Sequence, residues 1–214
     1  MRGIFDPQKG FWRVTGKLVD MVLLSLFWVA CSLPVFTLGP ATAALYKTAV
    51  RCIRGDEPGS WGMFFRTFRE NFKVGALTSL IVAAVAAVLV YLHGLAYSAA
   101  AQGGPWAVFY YCYTFVLLFP LGTACYLFPV LSRFEMGVGA LVSNCVKLAM
   151  VHLPSTAAMA VWLWLAQTVF LRWPVTFIVI PSLTALFQSL FLERIFAPYI
   201  RAQLGAEDED EGDS

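Results

Sequence analysis

Apolar residues fall in long blocks divided by short polar stretches, and the pattern inside the blocks changes along the chain. The first block, Leu18 to Val50, is longer than one ordinary membrane helix needs. Its middle, Leu33-Pro-Val-Phe-Thr-Leu-Gly-Pro-Ala41, cannot be one straight helix. Pro34 and Pro40 each remove a backbone donor and crowd the preceding turn, and Gly39 frees the backbone beside them, so a bend is predicted across Pro34, Gly39 and Pro40. As helices, Leu18 to Leu33 would reach roughly 24 Å and Ala41 to Val50 only about 15 Å. The second arm is therefore expected as a re-entrant or partly interfacial helix that the rest of the protein covers.

The next block has a different period. Arg54-Gly-Asp-Glu-Pro-Gly-Ser60 is a turn cluster ending in a helix start. After it, Trp61, Phe64, Phe65, Phe68 and Phe72 recur at intervals of three and four, one face of an α-helix, with Arg66, Arg69, Glu70 and Lys73 off that stripe. An aromatic face opposite a basic one suits an interfacial helix on an anionic leaflet, and also a helix packed on the protein by the same face.

Four apolar blocks follow, Val74 to Ser98, Trp106 to Leu131, Val151 to Leu171 and Val175 to Phe196, the last ending at Glu193-Arg194. Each is long enough to cross a bilayer. Gln102-Gly-Gly-Pro105 and Arg172-Trp-Pro174 are tight turns. Between the second and third blocks, Phe134, Val138, Leu141, Val142 and Cys145 share a face away from Glu135, Ser143, Asn144 and Lys147, a second amphipathic helix. Amphipathic helix, span, turn and span thus occur twice, a weak internal repeat. The expected fold is all-α: a polytopic helical membrane protein with four full spans, a broken or re-entrant N-terminal element and two interfacial amphipathic helices. It forms one domain over residues 1–199. Residues 200–214, with Glu207-Asp-Glu-Asp-Glu-Gly-Asp213, are expected as a disordered acidic tail.

Composition supports the class, with 59% hydrophobic and only 13% charged residues, where a soluble domain carries about 25% charged. Charge placement then orients the chain. If Leu18 to Val50 crosses once, Arg2, Lys9, Arg13, Lys17 and Arg172 share one side and the other ten of the fifteen cations lie opposite. If the block enters and returns, only Arg172 is separated from the other fourteen. The positive-inside rule favours the return, with both termini cytoplasmic. Phe5, Phe11 and Trp12 among the N-terminal cations read as a headgroup-level anchor, not a nucleic-acid site, and the block is too long for a signal peptide.

Little catalytic chemistry is visible. Cys31, Cys52, Cys112, Cys125 and Cys145 are widely spaced, without a C-x-x-C pair, and read as packing residues. No phosphate-binding loop, H-E-x-x-H or serine elbow occurs, so neither an enzyme nor a cofactor is expected. Intramembrane polar residues are the remaining candidates: His93 near the far end of its span, and Gln167 and Gln188 at depth. Asp20 near Lys17, and Glu193 with Arg194, read as structural.

Leu33-Pro-Val-Phe-Thr-Leu-Gly-Pro-Ala-Thr-Ala-Ala-Leu-Tyr46, Phe68-Arg-Glu-Asn-Phe-Lys73, Phe128-Pro-Val-Leu-Ser-Arg-Phe-Glu135 and His152-Leu-Pro154 together resemble the YesL-like family of bacterial integral membrane proteins, a family without assigned function. The resemblance covers about Phe5 to Tyr199. It implies a bacterial plasma-membrane protein, often encoded near carbohydrate-uptake transporters and polysaccharide-degrading enzymes. The expected role is an accessory or regulatory partner of carbohydrate importer subunits, embedded in the lipid bilayer. The alternative is a small secondary transporter using the broken Pro34–Pro40 segment as part of its site.

Overall fold

The first helix, α1 (Pro7–Ser32), stops one residue before Leu33-Pro34, where the proline ring disfavours helical backbone at the residue it follows. In the computed structural model the backbone is described for residues 7–101, 103–134, 136–173, 176 and 178–212, and the side chains over 15–199 apart from 102, 135, 170–171, 174–175 and 177. The later elements are α2 (Leu38–Thr48), α3 (Ser60–Glu70), α4 (Phe72–Ala100), α5 (Pro105–Val116), α6 (Leu118–Arg133), α7 (Val138–Val151), α8 (Leu153–Arg172) and α9 (Ile180–Gly212). No strand occurs among the described residues.

The break between α1 and α2 is a single 3-10 turn, Val35–Thr37. Helix resumes at Leu38, not at Ala41 as expected, so Gly39 and Pro40 lie inside the first turn of α2. Proline is tolerated there because first-turn N–H groups have no intrahelical acceptor to lose. Beyond Thr48 the chain continues through a π-helical turn, Ala49–Arg54. The second arm is thereby longer than its apolar residues alone indicate.

Both ends of this element meet. Lys17 Nζ lies 2.7 Å from Asp56 Oδ1, and Ser60 Oγ donates to Asp20 Oδ1 at 2.9 Å. Higher up, Trp28 Nε1 donates to Thr42 Oγ1 at 3.0 Å. The run is a helical hairpin, and its return arm is the centre of the protein. Gly39, Pro40, Ala41, Ala43, Ala44, Leu45, Tyr46 and Thr48 are buried, enclosed by α1, α3, α4, α6 and α9. The bend itself is exposed at Leu33, Val35 and Phe36.

Close approach explains why α2 begins with Gly-Pro. A methyl group on Gly39 would overlap Ser79 Oγ and the Gly75 carbonyl oxygen, and one on Gly75 would sit 2.9 Å from Pro40 Cδ. The Gly39 N–H donates to Ser79 Oγ at 2.6 Å, and that hydroxyl donates to the Gly75 carbonyl at 2.8 Å. One serine thus satisfies a donor that the first turn of α2 leaves open.

Away from this centre the elements thin out. The upper part of α4 packs on α5, which has no buried residue, and they join through Gly103 and Gly104 at φ +79° and +74°, left-handed values that glycine adopts without steric cost. The expected second span divides at Leu117, because Pro120 offers no N–H to the Val116 carbonyl. Below the division, α6 is buried from Cys125 to Ser132.

Among the described residues three helical stretches are long and apolar enough to cross a membrane, Thr15–Ser32, Phe72–Ala100 and Pro105–Arg133. Val138–Val151 with Leu153–Val169 adds a fourth only if the pair, bent by 105°, counts as one span. The expected last span, Val175 to Phe196, lies partly outside the described residues; its described part in α9, from Ile180, carries Gln188, Glu193 and Arg194 and is not among these stretches. The backbone of α9 continues as helix to Gly212. Its Arg, Ala, Gln, Leu and Glu residues are good helix formers.

Candidate functional site

A cleft opens beside α2, between α1 and α2 on one side and α6, α8 and α9 on the other, with a volume of about 370 Å³. Leu38, Leu45, Leu121, Phe128, Leu163 and Ile180 give it a hydrocarbon wall. Its polar lining is Thr42, Tyr46, Gln167, Thr184 and Gln188, with the indole of Trp28.

Most of those polar groups are already engaged. Thr42 Oγ1 accepts from Trp28 and donates to the Leu38 carbonyl at 2.7 Å. Thr184 Oγ1 accepts from Trp162 Nε1 at 3.3 Å, and the Trp162 ring stacks on Phe187 at 4.2 Å. The Tyr46 hydroxyl donates to Glu193 Oε1 at 3.1 Å. Gln188 differs: it is 7% exposed, it lines the cleft, and its side chain has no hydrogen-bond partner among the described residues. Gln167 sits at the rim, exposed. Of the three expected intramembrane polar residues, the structure brings the two glutamines to one cleft.

His93 goes elsewhere. On the α4–α5 hairpin its Nε2 is 3.4 Å from the Tyr110 hydroxyl, and its ring lies 5.1 Å from Tyr110 and 6.1 Å from Tyr113, with Nδ1 buried and without a partner among the described residues.

Tyr46 is a wall shared with an ionic cluster. Arg133 Nη2 donates to Glu193 Oε1 at 2.7 Å, with side chains 15% and 23% exposed. Arg54 Nη1 donates to the Ser189 carbonyl and hydroxyl at 3.0 and 3.2 Å. The cluster ties the end of the return arm to α6 and α9. Sequence reading marks Glu193 as structural but passes over Arg133, Arg54 and Tyr46. A tyrosine next to Lys47 at the end of an alanine-rich apolar stretch is the signal that would have found the last. For Ser79 the signal is the small-x-x-x-small pair it forms with Gly75.

The aromatic stripe of α3 is divided between two surroundings. Phe64 is fully buried and Phe68 half-buried, whereas Trp61 and Phe65 are exposed but lean on Phe27 of α1 at centroid distances of 5.6 and 5.4 Å. Phe72 already belongs to α4, stacked edge-on with Phe68 at 5.6 Å. Arg66, Arg69 and Lys73 are exposed. Arg66 and, at longer range, Lys47 hold the Glu70 carboxyl below its ordinary range, the hydrogen bond from Arg66 being the larger cause.

Among the described residues no group of three or more His, Cys, Asp or Glu is placed to hold a metal ion, and all five cysteines are free. No curated protein and no solved structure matches the chain. Over residues 21–91, which hold the last part of α1, all of α2 and α3 and most of α4, the chain matches the family model described as "Protein of unknown function, DUF624".

Proposed function

We propose that this is a multi-pass plasma-membrane protein that acts without catalysis, as an accessory partner of a carbohydrate uptake system, with both termini and α3 on the cytoplasmic face. The observation that carries the partner reading is α3. Its buried residues fasten it to α2, while Arg66, Arg69 and Lys73 stay exposed beside the exposed rings of Trp61 and Phe65. A rigid helix presenting cations and aromatic rings suits both an anionic leaflet and the membrane-proximal part of another subunit. The carbohydrate link comes from the family resemblance. Affinity purification in mild detergent from sugar-induced cells should recover importer subunits, and the Arg66→Glu/Arg69→Glu variant should lose most of them. Wild-type protein that recovers none sinks the reading.

The topology has its own test. Single cysteines placed at Asp56 and Gly103 in a cysteine-free background should label from opposite sides of the membrane, with Asp56 on the same side as Lys17→Cys. Labelling of Lys17→Cys and Asp56→Cys from opposite sides would replace the hairpin with a single crossing.

A transporter is the second reading, favoured by the cleft beside the helix break. Uptake by proteoliposomes that falls when the cleft is filled at Ala185 would support it.

A further inference from the structure

We infer that the cleft beside α2 is a binding site for one acyl chain of an anionic glycerophospholipid, with the chain's ester carbonyl hydrogen-bonded to the Gln188 amide. The inference rests on membrane embedding alone and holds whether or not the protein has an importer as partner.

The cleft has the volume of a small-molecule site, about 370 Å³. Left empty, walls of leucine, isoleucine, alanine and phenylalanine would forfeit their dispersion contacts on one side. Water fits poorly, since it needs two to four polar partners, while the Thr42 and Tyr46 hydroxyls already donate within the protein and the Thr184 oxygen already accepts from Trp162. A sugar fits no better: its several hydroxyls would meet one buried amide, one rim amide and otherwise hydrocarbon, and each unpaired hydroxyl would count against binding. A long apolar body whose ester carbonyls accept from the Gln188 amide and the Thr184 hydroxyl matches the donors that are free.

Gln188 supplies the direction. It is 93% buried by its 7% exposure, lines the cleft and lacks a partner among the described residues. The next residue of α9, Ser189, holds Arg54, and Tyr46 leads to the Arg133–Glu193 pair. One end of the site therefore lies beside a cluster of two arginines and one glutamate, a net positive charge. The other end, at Ile180, lies about 12 Å farther along α9 and is apolar. Headgroup phosphate beside Arg54, ester at Gln188 and chain toward Ile180 follow the order in which a glycerophospholipid presents these groups.

Full-length protein purified in mild detergent and examined by native mass spectrometry should retain one phospholipid. In phosphatidylcholine vesicles doped with phosphatidylglycerol carrying a diazirine in mid-chain, photocrosslinks should fall on Leu38–Tyr46 and Ile180–Gln188. Ala185→Trp should abolish retention, and Ala124→Phe, on the opposite wall, is the alternative filling variant should the first fail to fold. Gln188→Leu should weaken retention roughly fivefold, the worth of one neutral hydrogen bond. Wild-type crosslinks confined to α4 and α5, retention unchanged in a folded filling variant, or a retained mass that is free fatty acid or sugar would each overturn the assignment.

Discussion

Gly39→Ala is expected to be the most damaging single methyl in the protein. The added carbon would overlap Ser79 Oγ and the Gly75 carbonyl and stand 2.7 Å from Phe128 Cε1. The serine could rotate, at the loss of its hydrogen bond to the Gly39 N–H, but the carbonyl belongs to the backbone of α4 and cannot. Relief requires α2 to move away from α4, and α2 also touches α1, α3, α6 and α9. Overpacking of this kind costs about 1–3 kcal/mol, and the lost bond to a buried donor adds about 1–3 kcal/mol. The measurement is the melting temperature in detergent beside Gly62→Ala, where a methyl group meets nothing within 4 Å. Gly62→Ala should be neutral or slightly stabilising through helix propensity. Gly39→Ala should yield little monodisperse protein, and a melting temperature equal to wild type would refute the close approach.

Glu193→Leu should be nearly as harmful. It strands the Arg133 guanidinium, whose side chain is only 15% exposed and whose Nε already lacks a partner among the described residues. It also removes the acceptor of the Tyr46 hydroxyl. Removing one member of a buried pair costs about 3–5 kcal/mol, mainly because the other charge stays behind. The double variant Arg133→Leu/Glu193→Leu should recover much of the loss, since two apolar residues replace a pair that was expensive to bury. A double variant no more stable than Glu193→Leu would mean that the pair contributes through geometry that leucine cannot replace.

How much of this was visible beforehand depends on the kind of force involved. The return of the first run was legible because charge is asymmetric across a membrane, and Lys17 on Asp56 agrees with the count of cations. The helix at Ser60–Glu70 was legible from its period. That protein covers the second arm was legible from its short reach, but which helices cover it was not, because Ala41, Ala43, Ala44 and Leu45 are equally apolar whether they meet lipid or protein, and no hydrophobic contrast separates the two. The same limit hid the difference between Gln167, exposed, and Gln188, buried, which are one residue type in similar surroundings along the chain. The aromatic stripe of α3 is divided for another reason: one face of a helix is wider than the groove that receives it, so Phe64 enters and Trp61 stays outside.

The position of α2 also bears on how the protein is made. Tyr46 bonds to a residue 147 positions later, and Ser25 to one 157 positions later, so both leave the ribosome long before their partners exist. At roughly 5–20 residues per second, synthesis leaves Tyr46 waiting on the order of 7–30 s. During that interval the α1–α2 hairpin has its own internal bonds but not the lid that α6 and α9 provide. Nascent chains released before Ile180 should therefore be held by an insertase or chaperone, or degraded, and chains released after Phe196 should escape both.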